Sequence, residues 1–203
     1  MRLYFARHGE SQANIVREIS NRGLKHPLTR KGREQAVALA DRLRGLPIRR
    51  IYSSPVLRAI ETTIIVAHRL DLEYEIVDAL REYDCGLIEG RSDDECHRLW
   101  RELFDDWVLH QRWDRCLEGG ETFYNIRDRF VPFIEGLIRK HRESDDNWLC
   151  VAHGGLYWMM LPLVLNNVNT DLIARYQFDY TSCIVSELRP EGLVCIEWNG
   201  VAI

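Results

Sequence analysis

Short apolar runs alternate with longer amphipathic stretches along this chain. The runs at residues 2–6, 48–52, 74–77 and 149–152 are typical of buried strands. Between them, apolar residues recur every three or four positions, as they do on one face of a helix. Strands that alternate with helices predict the α/β class, with a three-layer α/β/α sandwich around a mostly parallel central sheet.

Several turns and caps give boundaries to these elements. Thr29 is expected to cap a helix that runs to about Arg44, and Ser54 is expected to cap the next helix, with Pro55 in its first turn. Thr122 is expected to begin a third helix. Near the C-terminus, two strand-like runs flank a Pro-Glu-Gly turn and predict a β-hairpin over residues 183–198.

The length of 203 residues, without a repeat or a linker, predicts a single domain over residues 1–203. Within it, residues 91–117 are mixed in charge, hold three tryptophans and are expected to form a lid-like segment whose tryptophans pack in the core or the lid. The terminal hairpin leaves a sheet edge that could pair with a second copy, so a homodimer is one predicted assembly.

Composition narrows the range of partners and compartments. The net charge of −4 argues against general affinity for nucleic acid. The longest nearly apolar stretch, residues 156–165, is about half the ~20 residues that a membrane span needs, and the N-terminus lacks the apolar core of a secretory signal. We therefore expect a cytoplasmic protein without nucleic-acid or membrane partners, whose six cysteines, which include no C-x-x-C pair, are reduced.

Four residues with strong chemistry follow predicted strands. Arg7 and His8 come directly after the first strand, Arg58 lies one turn into the helix after the second, and His153 follows the fourth. A lone histidine or arginine at such a place more often has a structural role. Because the carboxyl ends of parallel strands meet at one edge of a sheet, however, we expect these four side chains to converge.

Glycines accompany both histidines, at Gly9 and at Gly154-Gly155. They let the backbone approach a ligand closely and leave N–H donors free, which suits a tetrahedral dianion. The two histidines could instead bind a metal ion, but that would require a third ligand, and the neighbouring arginines would repel the cation. The residues favour a site for a phosphorylated small molecule, without a metal ion or another cofactor.

A longer series of motifs resembles the histidine phosphatase superfamily, whose members include the cofactor-dependent phosphoglycerate mutases. The motifs occur in the family's order over about residues 3–160. They are Arg7-His8-Gly9-Glu10-Ser11 with Asn14, Pro27-Leu28-Thr29, Ser53-Ser54 with Arg58 and Thr62, Leu80-Arg81-Glu82 with Gly86 and Glu89-Gly90, Gly120-Glu121, and Val151-Ala152-His153-Gly154-Gly155. The resemblance implies a phosphoglycerate mutase-like fold.

The resemblance also implies a phosphohistidine mechanism. His8 would attack phosphorus and hold the phosphoryl group until water removes it. Glu82 stands where the family has its proton donor to the leaving oxygen, although Glu89 and Glu121 are also near in sequence. The residues expected to bind the phosphoryl oxygens are Arg7, Asn14, Arg58, His153 and Gly154.

The chain departs from the family pattern before Pro27. Arg22 and Lys25 stand where many members have glutamine and an acidic residue. Their charge could favour an acidic phosphoester, or it could simply be solvated at the surface. The substrate therefore does not follow from the resemblance.

Three functions fit these observations. The segment between Glu82 and His153 has room for one lid and one helix, which is little for shielding a phosphohistidine from water. The sequence therefore favours a phosphomonoester hydrolase acting on a small phosphorylated metabolite, with a cofactor-dependent phosphoglycerate mutase as the alternative. A non-catalytic phosphate-binding protein is a remote third, because such a protein would have lost a member of the His8, Arg7, Arg58 and His153 set.

Overall fold

The computed structural model describes residues 1–176 and 178–203. Over these residues, seven strands form one sheet in the order β3-β2-β4-β1-β5-β6-β7. The strands are β1 (Arg2–Arg7), β2 (Ile48–Ser53), β3 (Tyr74–Ile76), β4 (Asn147–Ala152), β5 (Cys183–Arg189), β6 (Gly192–Trp198) and β7 (Val201–Ala202).

The helices occupy the intervals between the strands. They are α1 (Gln12–Val16), α2 (Arg30–Leu43), α3 (Leu57–Leu70), α4 (Asp94–Val108), α5 (Phe123–His141), α6 (Gly154–Met160) and α7 (Thr170–Arg175). Short 3₁₀ turns lie at Asp78–Leu80, Gly86–Ile88 and Leu161–Leu163.

The sheet is parallel in one half only. The pairs β1–β4, β4–β2 and β2–β3 are parallel, whereas β1–β5, β5–β6 and β6–β7 are antiparallel. The expected mostly parallel sheet is therefore found in part, over β3-β2-β4-β1, and the antiparallel remainder comprises the terminal hairpin, β7 and the pairing of β5 with β1. The predicted hairpin is confirmed as β5–β6, and the two-residue strand β7 adds an edge that the pattern did not indicate.

Side chains that alternate along the strands bury both faces of the sheet. Leu3 and Phe5 of β1 belong to a core cluster with α4, α5 and α6, while Tyr4 and Ala6 belong to a second cluster with α2 and α3. Every residue of β4 is buried, as a central strand covered on both faces requires. The three-layer α/β/α arrangement is thus confirmed.

The helix caps show one correct boundary and one error. Thr29 caps α2, since its hydroxyl accepts a hydrogen bond from the backbone N–H of Gly32 at 2.9 Å. Ser54, in contrast, does not cap α3, whose N-cap is Val56. The Ser54 hydroxyl lies 2.7 Å from Nε2 of His153 and also accepts from the N–H of Val56 at 3.2 Å, so it belongs to the neighbourhood of the histidine.

A contact between two glycines fixes the loop that follows β1. A Cβ atom on Gly32 would lie 1.9 Å from the carbonyl oxygen of Glu10, and one on Gly9 would lie 2.4 Å from the carbonyl oxygen of Gly32. Only glycine fits at either position without displacing the backbone. The first turn of α2 therefore sets where the segment around His8 can lie.

The segment 91–117 consists of α4 and the loop after it. Trp107 is buried and packs edge-on against Tyr83, with ring centroids 5.5 Å apart, which confirms its place in the core. Trp113 lies in the loop and is 39% exposed. All six cysteines have free thiols, and five of them are buried.

Across residues 1–176 and 178–203, no helix has the length and apolar character needed to cross a membrane.

Candidate active site

The ends of β1, β2 and β4 open onto a cavity of about 520 Å³. Six of the predicted site residues line it, namely Arg7, His8, Asn14, Arg58, Glu82 and Gly154. His153 lies behind the wall, fully buried, with its ring centroid 5.1 Å from that of His8. The structure thus brings together side chains that the sequence separates by up to about 150 residues.

The surroundings of His8 fix its tautomer. Its Nδ1 lies 2.7 Å from the carbonyl oxygen of Gly9, which can only accept, so Nδ1 carries the proton. Burial, together with the charges of Arg58 and Arg7, holds the pKa of His8 well below its usual value, and the ring is therefore neutral. The lone pair is left on Nε2, which accepts a hydrogen bond from Nε of Arg58 at 3.0 Å.

Arg58 links the two histidines. Besides its bond to His8, it donates from Nη2 to Nδ1 of His153 at 3.2 Å and from Nη1 to the carbonyl of Ser20. Thr62, one helical turn later, accepts from the N–H of Gly9 and donates to the carbonyl of Arg58, which ties α3 to the loop after β1. Burial lowers the pKa of Arg58 to about 10, so the guanidinium keeps its charge at neutral pH.

His153 has both ring nitrogens engaged. Since Arg58 can only donate to Nδ1, the proton of the neutral ring is on Nε2, which donates to the hydroxyl of Ser54 at 2.7 Å. Burial, Arg58, His8 and Arg7 keep the pKa of His153 well below its usual value. In this arrangement His153 supports Arg58, and a hydrogen bond to a ligand oxygen would require Nδ1 to release Arg58 and take up a proton.

Arg7 provides the second guanidinium of the cavity. Its Nη1 donates to the carbonyl of Phe178, and its Cζ lies 4.4 Å from the centroid of the Tyr180 ring. Its Nε is buried and has no hydrogen-bond partner among the described residues. Buried N–H groups in proteins almost always have an acceptor, so this one is available to a ligand oxygen.

Asn14 and Gly154 complete the polar end of the cavity. The Oδ1 atom of Asn14 accepts from the N–H and the hydroxyl of Ser11 at 3.0 and 2.8 Å, which leaves its Nδ2 group as the remaining donor. A Cβ atom on Gly154 would lie 3.4 Å from Nε of Arg7, so the backbone runs directly beside the guanidinium.

Glu82 reaches the cavity because a glycine lies opposite it. Its Oε2 accepts from the N–H of Gly155 at 3.2 Å and its Oε1 from the N–H of Tyr83 at 3.2 Å. A Cβ atom on Gly155 would lie 2.6 Å from the Tyr83 ring and 3.0 Å from Glu82 itself. Burial raises the pKa of Glu82, and this outweighs the opposing effect of Arg58 and of the two N–H donors.

A buried ion-pair network holds the loop that carries Glu82. Arg129 of α5 donates from Nη1 to the carbonyls of Ala79 and Arg81, both at 2.9 Å, and its Nε pairs with Glu121 at 3.0 Å. Glu121 also accepts from the Arg81 guanidinium and from the N–H of Asp84. These bonds fix the backbone on both sides of Glu82.

The other two candidate acids have different partners. Glu121 belongs to the network just described, and Glu89 accepts from the N–H groups of Asn21 and Arg22 at 2.9 to 3.0 Å. Neither lines the cavity. Glu82 is the one of the three carboxyl groups that borders it.

The two cations that depart from the family pattern are already paired. Arg22 holds Asp84 with two hydrogen bonds of 2.7 and 2.6 Å, and Lys25 donates to Glu18 at 2.6 Å. Neither Arg22 nor Lys25 lines the cavity. Within the described part of the chain, no group of three or more His, Cys, Asp or Glu side chains is arranged to hold a metal ion.

Sequence reasoning missed several supporting residues. Ser20, Phe178 and Tyr180 contact the two arginines through backbone carbonyls or a ring face, and no local pattern marks such contacts. Thr62, in contrast, stands among the motifs that resemble the family, and its place four residues after Arg58 on a predicted helix agrees with its contact with the Arg58 backbone. Arg129 could not be inferred from spacing, because its partners lie about 50 residues earlier in the chain.

Replacing Arg129 by methionine should lower the free energy of unfolding by roughly 1 to 3 kcal/mol, because the carbonyls of Ala79 and Arg81 would lose a donor and Glu121 would lose one of its partners. Arg127→Met is the matched control in the same helix, since Arg127 is exposed and its contacts are an ion pair with Asp128 and the face of the Tyr124 ring. It should cost no more than about 0.5 kcal/mol. Urea unfolding measures both, and similar small losses would show that the network does not stabilise this loop.

Comparison with known proteins agrees with this geometry. Residues 3–200 match the family model of the histidine phosphatase superfamily (branch 1). The probable phosphoglycerate mutase GpmB of Salmonella choleraesuis is 33% identical over 157 residues, which cover 76% of this chain and 70% of that protein.

Solved structures agree along the whole chain. Bacillus stearothermophilus YhfR has a TM-score of 0.82 and 25% identity, and the match covers 100% of this chain and 98% of that one. A putative alpha-ribazole-5'-P phosphatase from Escherichia coli K-12 has a TM-score of 0.81 and 26% identity over the same shares. The chain therefore belongs to the histidine phosphatase superfamily and is an enzyme of that superfamily.

Proposed function

We propose that the protein hydrolyses small phosphomonoesters through a phosphohistidine formed on His8. The observation that carries this proposal is the unprotonated Nε2 of His8, which lies 3.0 Å from one buried guanidinium, in a cavity lined by a second. A neutral imidazole nitrogen is a competent nucleophile, and two cations beside it match the charge of a phosphate dianion.

In the first step, Arg58 turns from Nε2 of His8 to the phosphoryl oxygens, the freed lone pair of Nε2 attacks phosphorus, and the bond from phosphorus to the ester oxygen breaks. Arg7, through its unpartnered Nε, and Arg58 hold the equatorial oxygens, with Asn14 Nδ2 and the backbone at Gly154 as further contacts. Glu82 gives its proton to the departing oxygen, so the alcohol leaves neutral. The raised pKa of Glu82 supports this role, because a general acid must be protonated near the working pH.

In the second step, water attacks the phosphohistidine and the bond from phosphorus to Nε2 breaks. Glu82, now ionised, takes the proton of that water and returns to its starting state. His153 holds Arg58 in line and takes part in charge stabilisation through it, and its Nδ1 can donate to the phosphoryl group only after it releases Arg58 and becomes protonated. The cycle needs no metal ion, because the arginines supply the positive charge.

Hydrolysis competes with one alternative, phosphoglycerate isomerisation, which the similarity to GpmB favours. A mutase must keep water from its phosphohistidine while the substrate turns over. Between Glu82 and β4 this chain has two long helices, and α5 packs in the core, so α4 is what remains to cover the cavity. The likeness to the putative alpha-ribazole-5'-P phosphatase of Escherichia coli K-12, at 26% identity, also supports hydrolysis.

Hydrolysis and isomerisation can be distinguished by incubating the enzyme with 3-phosphoglycerate and a panel of phosphomonoesters, with and without a bisphosphate primer, and measuring phosphate and 2-phosphoglycerate. We expect phosphate release from some panel members and less 2-phosphoglycerate than phosphate. The activity should survive EDTA and be inhibited by vanadate. Primer-dependent isomerisation that outpaces hydrolysis would establish the mutase instead, and loss of activity in EDTA with recovery on adding Zn²⁺ or Mg²⁺ would contradict the metal-free mechanism.

Substitution of Glu82 by glutamine should lower the turnover of esters with poor leaving groups most. An alkyl alkoxide needs the proton, so turnover of an alkyl phosphate should fall by about 10² or more, whereas p-nitrophenolate leaves unprotonated and its ester should lose far less. His8→Ala is the control, since it should abolish both reactions. Equal losses on both esters in Glu82→Gln would mean that Glu82 only positions the site.

The same pair of esters gives a pH test. Because Glu82 acts in its protonated form and burial raises its pKa, kcat/KM for the alkyl ester should fall relative to that for the aryl ester as pH rises through the Glu82 pKa. The ratio should be flat at lower pH. In Glu82→Gln the ratio should no longer depend on pH, and a persistent decline there would assign the titration to another group.

A further inference from the structure

The cavity has two ends of different character. The end beside His8 is polar and charged, as described above. A second part of the lining, which we call the apolar end, consists of apolar and aromatic side chains, including Ile19, Trp100, Phe104, Trp158, Ile173 and Tyr176. A phosphate group accounts for the first end only, so the second must accept the part of the substrate that leaves.

Three aromatic rings form a continuous row in that apolar end. Trp100 and Phe104 are four residues apart on α4, with stacked rings whose centroids lie 6.0 Å apart, and the centroid of Phe104 lies 4.8 Å from that of Trp158 on α6. All three are only partly buried, whereas Trp107 of the same helix α4 is fully enclosed in the core. The row therefore presents ring surface to the cavity, where a second flat ring can pack.

The row begins close to the phosphate-binding end. Trp158 follows Gly154 by four residues on α6, and four residues of helix span about 6 Å. A phosphoryl group beside Gly154 is therefore about one helical turn from Trp158, a distance that a short linker can span. A ring joined to the phosphate by a short chain would lie against Trp158 and Phe104 while the phosphorus faces His8.

Charge in the cavity disfavours a second anionic group. Among the described residues that line it, the only lysine or arginine side chains are Arg7 and Arg58, which the phosphate engages. Glu18 lines the same cavity. Burial opposes its ionisation, but hydrogen bonds from Lys25 and His26 outweigh that effect and hold the pKa of Glu18 below its usual value, so it is an anion.

Resting on the proposed hydrolase function, we infer that the substrate is the phosphomonoester of an uncharged alcohol that carries a flat apolar ring, and not a small phosphorylated acid. The ring packs on the row of Trp100, Phe104 and Trp158. A carboxylate in the cavity would share it with the anionic Glu18 and would find no lysine or arginine other than the two that the phosphate engages, so the lining disfavours an acid as well as favouring a ring.

Three esters matched around a common two-carbon core test this inference: 2-phenylethyl phosphate, ethyl phosphate and phosphoglycolate. The ratio of kcat/KM for 2-phenylethyl phosphate to that for ethyl phosphate should be about 10 or more, from burial of the ring. Phosphoglycolate should be slower than ethyl phosphate. A ratio near one, or phosphoglycolate as the best of the three, would overturn the inference.

Variants of the row assign the effect to its residues. Phe104→Leu and Trp158→Leu should each lower the phenylethyl-to-ethyl ratio severalfold, and Trp113→Leu is the matched control because Trp113 lies outside the cavity. Glu18→Gln should raise phosphoglycolate turnover relative to ethyl phosphate. Unchanged ratios in both row variants would mean that the row only packs the lid, and would overturn the inference.

Binding of non-hydrolysable phosphonates separates a failure of this inference from a failure of the proposed function. By calorimetry, 3-phenylpropylphosphonate should bind about tenfold or more tightly than propylphosphonate, and 2-carboxyethylphosphonate should bind more weakly than propylphosphonate. That order without phosphate release from any ester would overturn the proposed hydrolase but keep the ligand class. Phosphate release with the opposite order of binding would overturn the inference and keep the hydrolase.

Discussion

One guanidinium held against a neutral imidazole, with a second guanidinium in the same cavity, is the constraint on which the rest of this structure depends. Taking Arg58 out of water is costly, and the lowering of its pKa to about 10 is a measure of that cost. The protein offsets it with acceptors: the carbonyl of Ser20, Nε2 of His8 and Nδ1 of His153. The same contacts fix the tautomers of both histidines. The groups that stabilise the buried cation therefore also keep Nε2 of His8 unprotonated.

The fold supplies these contacts by bringing the carboxyl ends of parallel strands to one edge. His8 follows β1, His153 follows its parallel neighbour β4, and Arg58 lies just beyond β2 on the far side of β4. The close approach of Gly9 to Gly32 holds the first loop, and Arg129 holds the loop of Glu82 from the opposite layer. Positive charge thus accumulates around an imidazole that has little tendency to take up a proton. A dianionic ligand would neutralise this charge.

The sequence was sufficient for the parts of the fold that follow from local pattern. The periodicity of apolar residues and the capping preference of threonine are local features. They predicted the strands before His8 and His153 and the cap at Thr29. The Ser54 cap failed because a tertiary partner, His153, took the hydroxyl. The antiparallel half was underestimated because the direction in which β5 returns along β1 is not encoded in a run of five or six apolar residues.

The candidate site divides in the same way. His8, Arg58 and Glu82 were identifiable from motifs, and the structure brings them to one cavity. Their supports were not, because the carbonyl of Phe178 and the Arg129 network act across long separations in the chain through backbone atoms that any residue carries. The aromatic end of the cavity was not predicted either, because Trp100 and Trp158 come from helices whose packing alone decides that they meet.

Direct observation of the phosphoenzyme tests the central claim, that the neutral Nε2 of His8 is the nucleophile. The enzyme would be mixed with an excess of p-nitrophenyl phosphate, quenched under alkaline conditions that preserve phosphohistidine, and mapped by mass spectrometry. We predict one added phosphoryl group on His8, absent in His8→Asn and retained in His68→Asn, an exposed histidine of α3. A phosphoryl group that persists in His8→Asn, or that maps to Ser11, Ser53 or Ser54, would contradict the account.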